Sequence, residues 1–111
     1  MDWTTELATA NTNLDSYRSA QTQTAKGFSS LHQAAMADGE VSAKTKELMA
    51  LSIGIAKQCV DCIGFHVKAS VAAGASRKEI EETVNVCILM GGGPSFMYGV
   101  KALEAYDQLT A

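Results

Sequence analysis

The sequence predicts an all-α domain of five to six helices. Three observations lead there. From about Leu14 onward, apolar residues recur at three- and four-residue spacing, the period of a helix buried on one side. Strict alternation of apolar and polar residues never persists, and β-branched residues are scattered rather than clustered as strands require. The one proline and most of the nine glycines fall where helices would end.

Taken in order, the first dozen residues, rich in Thr, Ala and Asn, carry little pattern, and a first helix is expected only from Asp15 into the Gln/Thr stretch. A second runs from about Lys26 to Ala37 with Phe28, Leu31, Ala35 and Met36 inward, and Asp38-Gly39-Glu40 breaks the chain. Ser42 is the N-cap of a third helix, with Leu48, Leu51 and Ile55 on one stripe and Met49, Ile53 and Ala56 beside it, ending near Lys57. A fourth spans roughly Cys59 to Ala73 and is closed by Gly74, placed where a left-handed residue is favoured. Ser76-Arg77-Lys78-Glu79 is a capping box that starts a fifth helix through about Met90. Gly91-Gly92-Gly93 ends it, and Pro94 suits the first turn of a sixth. That last helix turns Phe96, Val100, Leu103 and Tyr106 inward and Lys101, Glu104 and Asp107 outward.

A chain of 111 residues has the size of one domain, read here as 1–111 with a core of about 26–109. The net charge of −3 and the absence of a Lys/Arg-rich run argue against a nucleic-acid partner. The N-terminus has neither the basic nor the apolar region of a secretory signal, and no apolar run approaches a membrane span. A cytoplasmic protein with no membrane partner is expected. Three cysteines, two of them three residues apart, do not resemble the evenly paired set of a secreted disulfide scaffold. Such a close pair points to redox chemistry or metal binding.

The informative stretch is Cys59-Val60-Asp61-Cys62-Ile63-Gly64-Phe65-His66. On a helix, Cys59, Cys62 and His66 fall within about 60° of one another, with Asp61 and Lys68 pointing the opposite way. A thiolate is the nucleophile, and a helix N-terminus stabilises its charge. His66, one turn beyond Cys62, is placed to take its proton. A sulfenic acid formed on one cysteine would be captured by the other as a disulfide. Glu47 lies on the third helix, and if that helix packs antiparallel to the fourth, chain reversal brings its carboxylate beside His66.

Each of these residues has a plainer explanation that spacing alone leaves open. Cys59 and Cys62 could be small core residues. His66 could be a histidine satisfied at a helix interface, and Glu47 could pair with Lys44 one turn back. Cys87, in the apolar run Val84–Met90 with no acid or base beside it, reads as packing. His32 reads as a surface or interface residue. Met90 and Met97 read as packing rather than a cofactor box, and no cofactor is expected.

A Cys-x-x-Cys followed four residues later by His, with a glutamate twelve residues before the first cysteine, resembles the AhpD-like branch of the carboxymuconolactone decarboxylase superfamily. The flanking text matches too: Ala72-Ala73-Gly74-Ala75, Glu79-Ile80, and Leu89-Met90-Gly91-Gly92-Gly93-Pro94. The resemblance covers roughly Leu31 to Leu109. It implies an all-helical fold assembled into homotrimers or homohexamers, and reduction of organic hydroperoxides by the cysteine pair. It further implies that Glu47 and His66 help deprotonate Cys62, that Cys62 attacks the peroxide, and that Cys59 resolves the sulfenic acid. A partner dithiol (a lipoyl protein, a thioredoxin-like protein or a small thiol) would then reduce the disulfide. Some members carry a second histidine between the cysteines, where this chain has Asp61.

Three other functions remain open on the sequence. One is a decarboxylase or lactone enzyme of the wider superfamily, for which adjacent thiols have no evident use. Another is a metal site on Cys59, Cys62 and His66, which lacks a clear fourth ligand for zinc. The third is a non-enzymatic oligomer whose thiol pair senses redox state. The glycine-rich corner and Phe96-Met97-Tyr98 are expected to pack between subunits.

Overall fold

The computed structural model describes residues 1–111. Six helices follow one another without a strand: α1 (Trp3–Ala20), α2 (Thr22–Met36), α3 (Ala43–Ala56), α4 (Val60–Ala72), α5 (Arg77–Gly91) and α6 (Gly93–Leu109). No helix is long and apolar enough to cross a membrane. Helices α3 and α4 form one hairpin and α5 and α6 another, with α4 on α6 and α3 on α5. The core at their junction holds Leu51, Ile55, Ile63, Val67, Ile80 and Val84.

Local chemistry sets the boundaries. The Ser42 side chain accepts from the Thr45 N–H at 3.2 Å and starts α3. Ser76 and Glu79 exchange bonds of 3.1 and 3.0 Å in the expected capping box at the head of α5. At the end of α4, Gly74 takes φ +97 while Ala75 N donates to Ser70 O and Gly74 N to Val71 O. That paired closure satisfies carbonyls the helix would otherwise leave open.

The N-terminal segment departs from expectation. Its helix starts at Trp3, not near Asp15, with Asp2 as N-cap accepting from the Thr5 N–H at 3.1 Å. Trp3 is fully buried in the core, and its indole N–H donates to Glu104 at 2.7 Å. Its backbone N–H donates to the Gln108 side chain at 2.8 Å, so the chain start is fastened to α6. After Trp3, Leu7 and Ala10 the helix is exposed, Leu14 and Tyr17 included. Three anchors in eighteen residues are too sparse to register as a periodic stripe.

Two inward faces are also corrected. Helix α2 buries nothing: Phe28 and Leu31 are 69 % and 63 % exposed, Ala35 is exposed and Met36 is half-buried. Periodicity marks an apolar face but does not supply the surface that covers it. On α6 the buried set is Ser95, Gly99, Ala102 and Ala105, while Phe96 and Val100 are exposed and Leu103 and Tyr106 pack at the core's edge. Close approach decides this register. A Cβ on Gly99 would lie 2.6 Å from Val84 Cγ1, so α5 and α6 meet along small residues and the larger ones are turned aside.

Candidate active site: a disulfide between two clefts

Helix α3 ends in a turn that delivers the first cysteine. Gln58 takes φ +57, Gln58 N donates to Ile55 O, and Cys59 N donates to Gly54 O. This is the same closure as at Gly74, made here by a glutamine in the left-handed region. It leaves Cys59 as the N-cap of α4, one residue outside the helix in which the sequence had placed it. The Cys59 sulfur accepts from the Cys62 N–H at 3.3 Å, as an N-cap side chain does. Cys59 and Cys62 are joined by a disulfide, with 5.2 Å between their Cα atoms. Gly54 sits opposite: a Cβ there would lie 3.2 Å from Cys62 Cβ, so α3 closes on α4 directly behind the second cysteine.

The antiparallel α3–α4 hairpin brings the acid and the base together. His66 Nδ1 lies 2.8 Å from Glu47 Oε2, with the Glu47 side chain 11 % and the His66 side chain 25 % exposed. Lys44, the alternative partner for Glu47, instead pairs with Glu79 at 2.9 Å. With Nδ1–H donated to the carboxylate, the neutral imidazole keeps its lone pair on Nε2, the nitrogen available to a thiol.

Two openings reach the disulfide. A cleft of about 410 Å³ under α1 is lined by Ala10, Leu14 and Phe65 with Asp61, Cys62 and His66. A second, of about 240 Å³ along α3, is lined by Ala50, Ile53 and Lys57 with Cys59, Cys62 and His66. Cys62 and His66 face both. A further groove of about 330 Å³ between α1 and α2 carries Arg18, Phe28 and His32 to the Glu47–His66 pair.

Asp61 corrects the sequence reading. It does not point away from the cysteines: it is half-buried, lines the α1 cleft beside Cys62 and His66, and has Oδ1 sealed from solvent without a protein donor. A helical wheel of α4 shows only its own faces and says nothing of α1 packed across it. The neighbouring Asp61 carboxyl raises the pKa of Glu6 on α1, because two adjacent carboxyls resist carrying two charges. Glu6, Lys57 and His32 were not singled out as site residues in the sequence. They sit on other elements at no diagnostic spacing, so no local signal marked them.

Cys87 is buried on α5, its sulfur 3.8 Å from Ser52 O, and burial pushes its thiol pKa up. A neutral thiol is a poor nucleophile, consistent with packing. No group of three or more His, Cys, Asp or Glu side chains converges in metal-binding geometry.

The carboxymuconolactone decarboxylase family profile matches residues 22–105. A carboxymuconolactone decarboxylase family protein of Legionella pneumophila superposes with a TM-score of 0.96 at 42 % identity, covering 98 % of this chain and 97 % of that one. A family protein of Thermotoga maritima, for which a part in an antioxidative response has been suggested, superposes at 0.83 with 30 % identity, covering 95 % and 90 %. An uncharacterised protein of Cupriavidus necator is 36 % identical over 110 residues, 99 % of this chain and 97 % of its own. The six-helix fold, the cysteine pair and these matches agree: the chain belongs to the carboxymuconolactone decarboxylase family, within the AhpD-like superfamily.

Proposed function

We propose that this protein is a thiol-dependent peroxidase that reduces organic hydroperoxides through a Cys59/Cys62 dithiol–disulfide cycle. The observation that carries this reading is the bonded cysteine pair on the first turn of α4, next to an imidazole whose far nitrogen is held by a carboxylate. In the reduced protein His66 takes the Cys62 proton and Glu47 stabilises the imidazolium; the α4 N-terminus favours the thiolate. Cys62 attacks the peroxide and becomes a sulfenic acid. Cys59 displaces water from it to form the disulfide. A partner dithiol, such as a lipoyl group, a thioredoxin-like protein or a small thiol, restores both thiols. The apolar wall of the α1 cleft suits an alkyl substituent on the peroxide.

A homotrimer or homohexamer is part of the proposal. Leu89 and Met90 are 80 % and 81 % exposed, Val86 is exposed one turn earlier on α5, and Phe96 and Met97 are exposed on α6, apolar side chains that a second copy would cover. A dithiol cycle also fits a reducing compartment such as the cytoplasm.

The test is free-thiol counting by mass spectrometry before and after cumene hydroperoxide, on reduced wild type and Cys62→Ser. Loss of two thiols into a Cys59–Cys62 disulfide, abolished in the variant, is the expected result. Thiols that survive the peroxide would overturn the reading.

A further inference from the structure

We propose that the oxidant this site selects is a hydroperoxide on an acyl chain ending in a carboxylate, with Arg18 holding the carboxylate and Leu14, Phe28 and Phe65 lying along the chain. The inference rests on the peroxidase reading and names the substrate class of that same site. It begins from an apolar wall that the core does not use. Leu14 on α1 and Phe28 on α2 are 40 % and 69 % exposed, and neither belongs to the core cluster. Both line the groove of about 330 Å³ between α1 and α2, together with half-buried Phe65 from α4. Single exposed apolar side chains are ordinary, but three that converge in one groove beside reactive groups suit an apolar occupant.

The same groove carries a cation. Arg18 and His32 line it, and its one carboxylate, Glu47, is engaged with His66 Nδ1 at 2.8 Å. In a chain of net charge −3 this is a locally positive mouth. The Arg18 guanidinium is not saturated. Asp15 takes only its Nη1, at 3.0 Å, and both side chains of that pair are more than half exposed. Such an exposed pair contributes little and gives way readily to a better-placed carboxylate, which the planar fork of the guanidinium can grip with two bonds.

Continuity joins the two ends. Leu14, Phe65 and His66 border both this groove and the α1 cleft that holds Cys62, so the two spaces adjoin. Ala10 stands at the Cys62 end and Arg18 in the outer groove, two turns of α1 apart or about 12 Å along its axis. A chain that reaches from one to the other is a fatty acyl chain rather than a small acid. Asp61 on the cleft wall fixes its direction, because an acidic neighbour repels the carboxylate from the end where the sulfur lies, while the uncharged hydroperoxide is tolerated there. The chemistry is that of the proposed cycle. The Cys62 thiolate takes the distal peroxide oxygen, the O–O bond breaks with its electron pair on the inner oxygen, and that alkoxide takes the proton His66 removed from Cys62. Sulfur is oxidised by two electrons, the product is the hydroxy acid, and the carboxylate is unchanged.

The experiment compares linoleic acid hydroperoxide with its methyl ester, which keeps the chain and the peroxide but loses the charge. Reduced wild type, Arg18→Gln and Asp15→Asn are each mixed with both, and the readout is the acid-to-ester ratio of second-order rates of Cys62 oxidation. All three proteins meet the same solutions, so any difference in how acid and ester disperse in water cancels between them. Wild type should favour the acid by about fivefold, the upper end for a half-exposed ion pair. Arg18→Gln should bring the ratio to one or below, and Asp15→Asn, which frees the guanidinium, should raise it. A wild-type ratio of one, or a preference that survives Arg18→Gln, overturns this inference and leaves the peroxidase standing. A wild type oxidised by neither linoleic acid hydroperoxide nor cumene hydroperoxide faster than a free thiol overturns the peroxidase and this inference together.

Discussion

Replacing Trp3 by alanine tests whether the α1 wall of the active-site cleft is docked by one side chain. The indole is fully buried between α1, α4 and α6, and its six-membered ring lies against Gly64, where an added Cβ would meet two ring carbons at 2.9 Å. A tryptophan buries about 150–250 Å². At ~25 cal/mol per Å² that is about 4–6 kcal/mol as an upper bound, and measured aromatic-to-alanine losses run at about 3–5 kcal/mol. The lost bond to Glu104 adds little, because that side chain is 44 % exposed and water takes the indole's place. At about 4–8 °C per kcal/mol, the midpoint should fall by roughly 12 °C or more if the whole chain unfolds together. Leu7 and Ala10 are the other buried residues of α1, so the helix can instead detach alone. The assay is a thermal melt read together with amide hydrogen exchange on α1. Either a large drop in midpoint or loss of α1 protection is expected, with Phe65 and Cys62 more exposed. An unchanged midpoint with α1 amides still protected would refute the docking argument. Trp3→Phe, which keeps a ring in the site, should retain most of the stability.

Glu47→Gln should slow Cys62 oxidation by cumene hydroperoxide by about 100-fold while Cys62→Ser abolishes it, measured by thiol loss under pseudo-first-order conditions. The pH dependence of stability has two opposed parts. Backbone donation by Ser76, the Trp3 indole and the Arg77 guanidinium lower the pKa values of Glu79, Glu104 and Asp107 respectively. Their contributions are present above unfolded values of about 4 and are lost as pH falls through the folded ones, so the urea midpoint should drop in acid. Glu6 is raised, so its contribution is present below its unfolded value and lost as pH rises through the folded one; Glu6→Gln should remove that component alone. Gly74→Ala, at φ +97 with open space around it, should cost about 1–2 kcal/mol from backbone strain alone, read from urea unfolding. Leu89→Lys should leave the helical circular dichroism intact and shift sedimentation toward the monomer; wild type that sediments as pure monomer at micromolar concentration would end the oligomer proposal.

The sequence made most of the architecture legible because it is written in local signals. The caps at Ser42 and Ser76 and the left-handed stop at Gly74 each use groups a few residues apart, and the structure has all three. The juxtaposition of Glu47 and His66 followed from hairpin reversal, a longer-range inference that needed only two adjacent helices. What failed lay between elements distant in sequence. The helix start at Trp3 gave no pattern because the partners that fix it, Glu104 and Gln108, are a hundred residues away. Asp61 looked solvent-facing because α1, which covers it, could not be placed. Phe96 and Val100 looked buried because hydrophobicity ranks side chains by water aversion, whereas the α5–α6 contact selects them by size.

The disulfide has a front door and a back door. Cys59 borders only the α3 opening, with Lys57 at its edge, while the Asp61 carboxyl borders only the α1 opening. On the proposed cycle, oxidant enters past an acidic jamb and reductant past a basic one. On that cycle the two visitors would not compete for one passage, and an anionic dithiol would meet Lys57 at the opening that Cys59 borders.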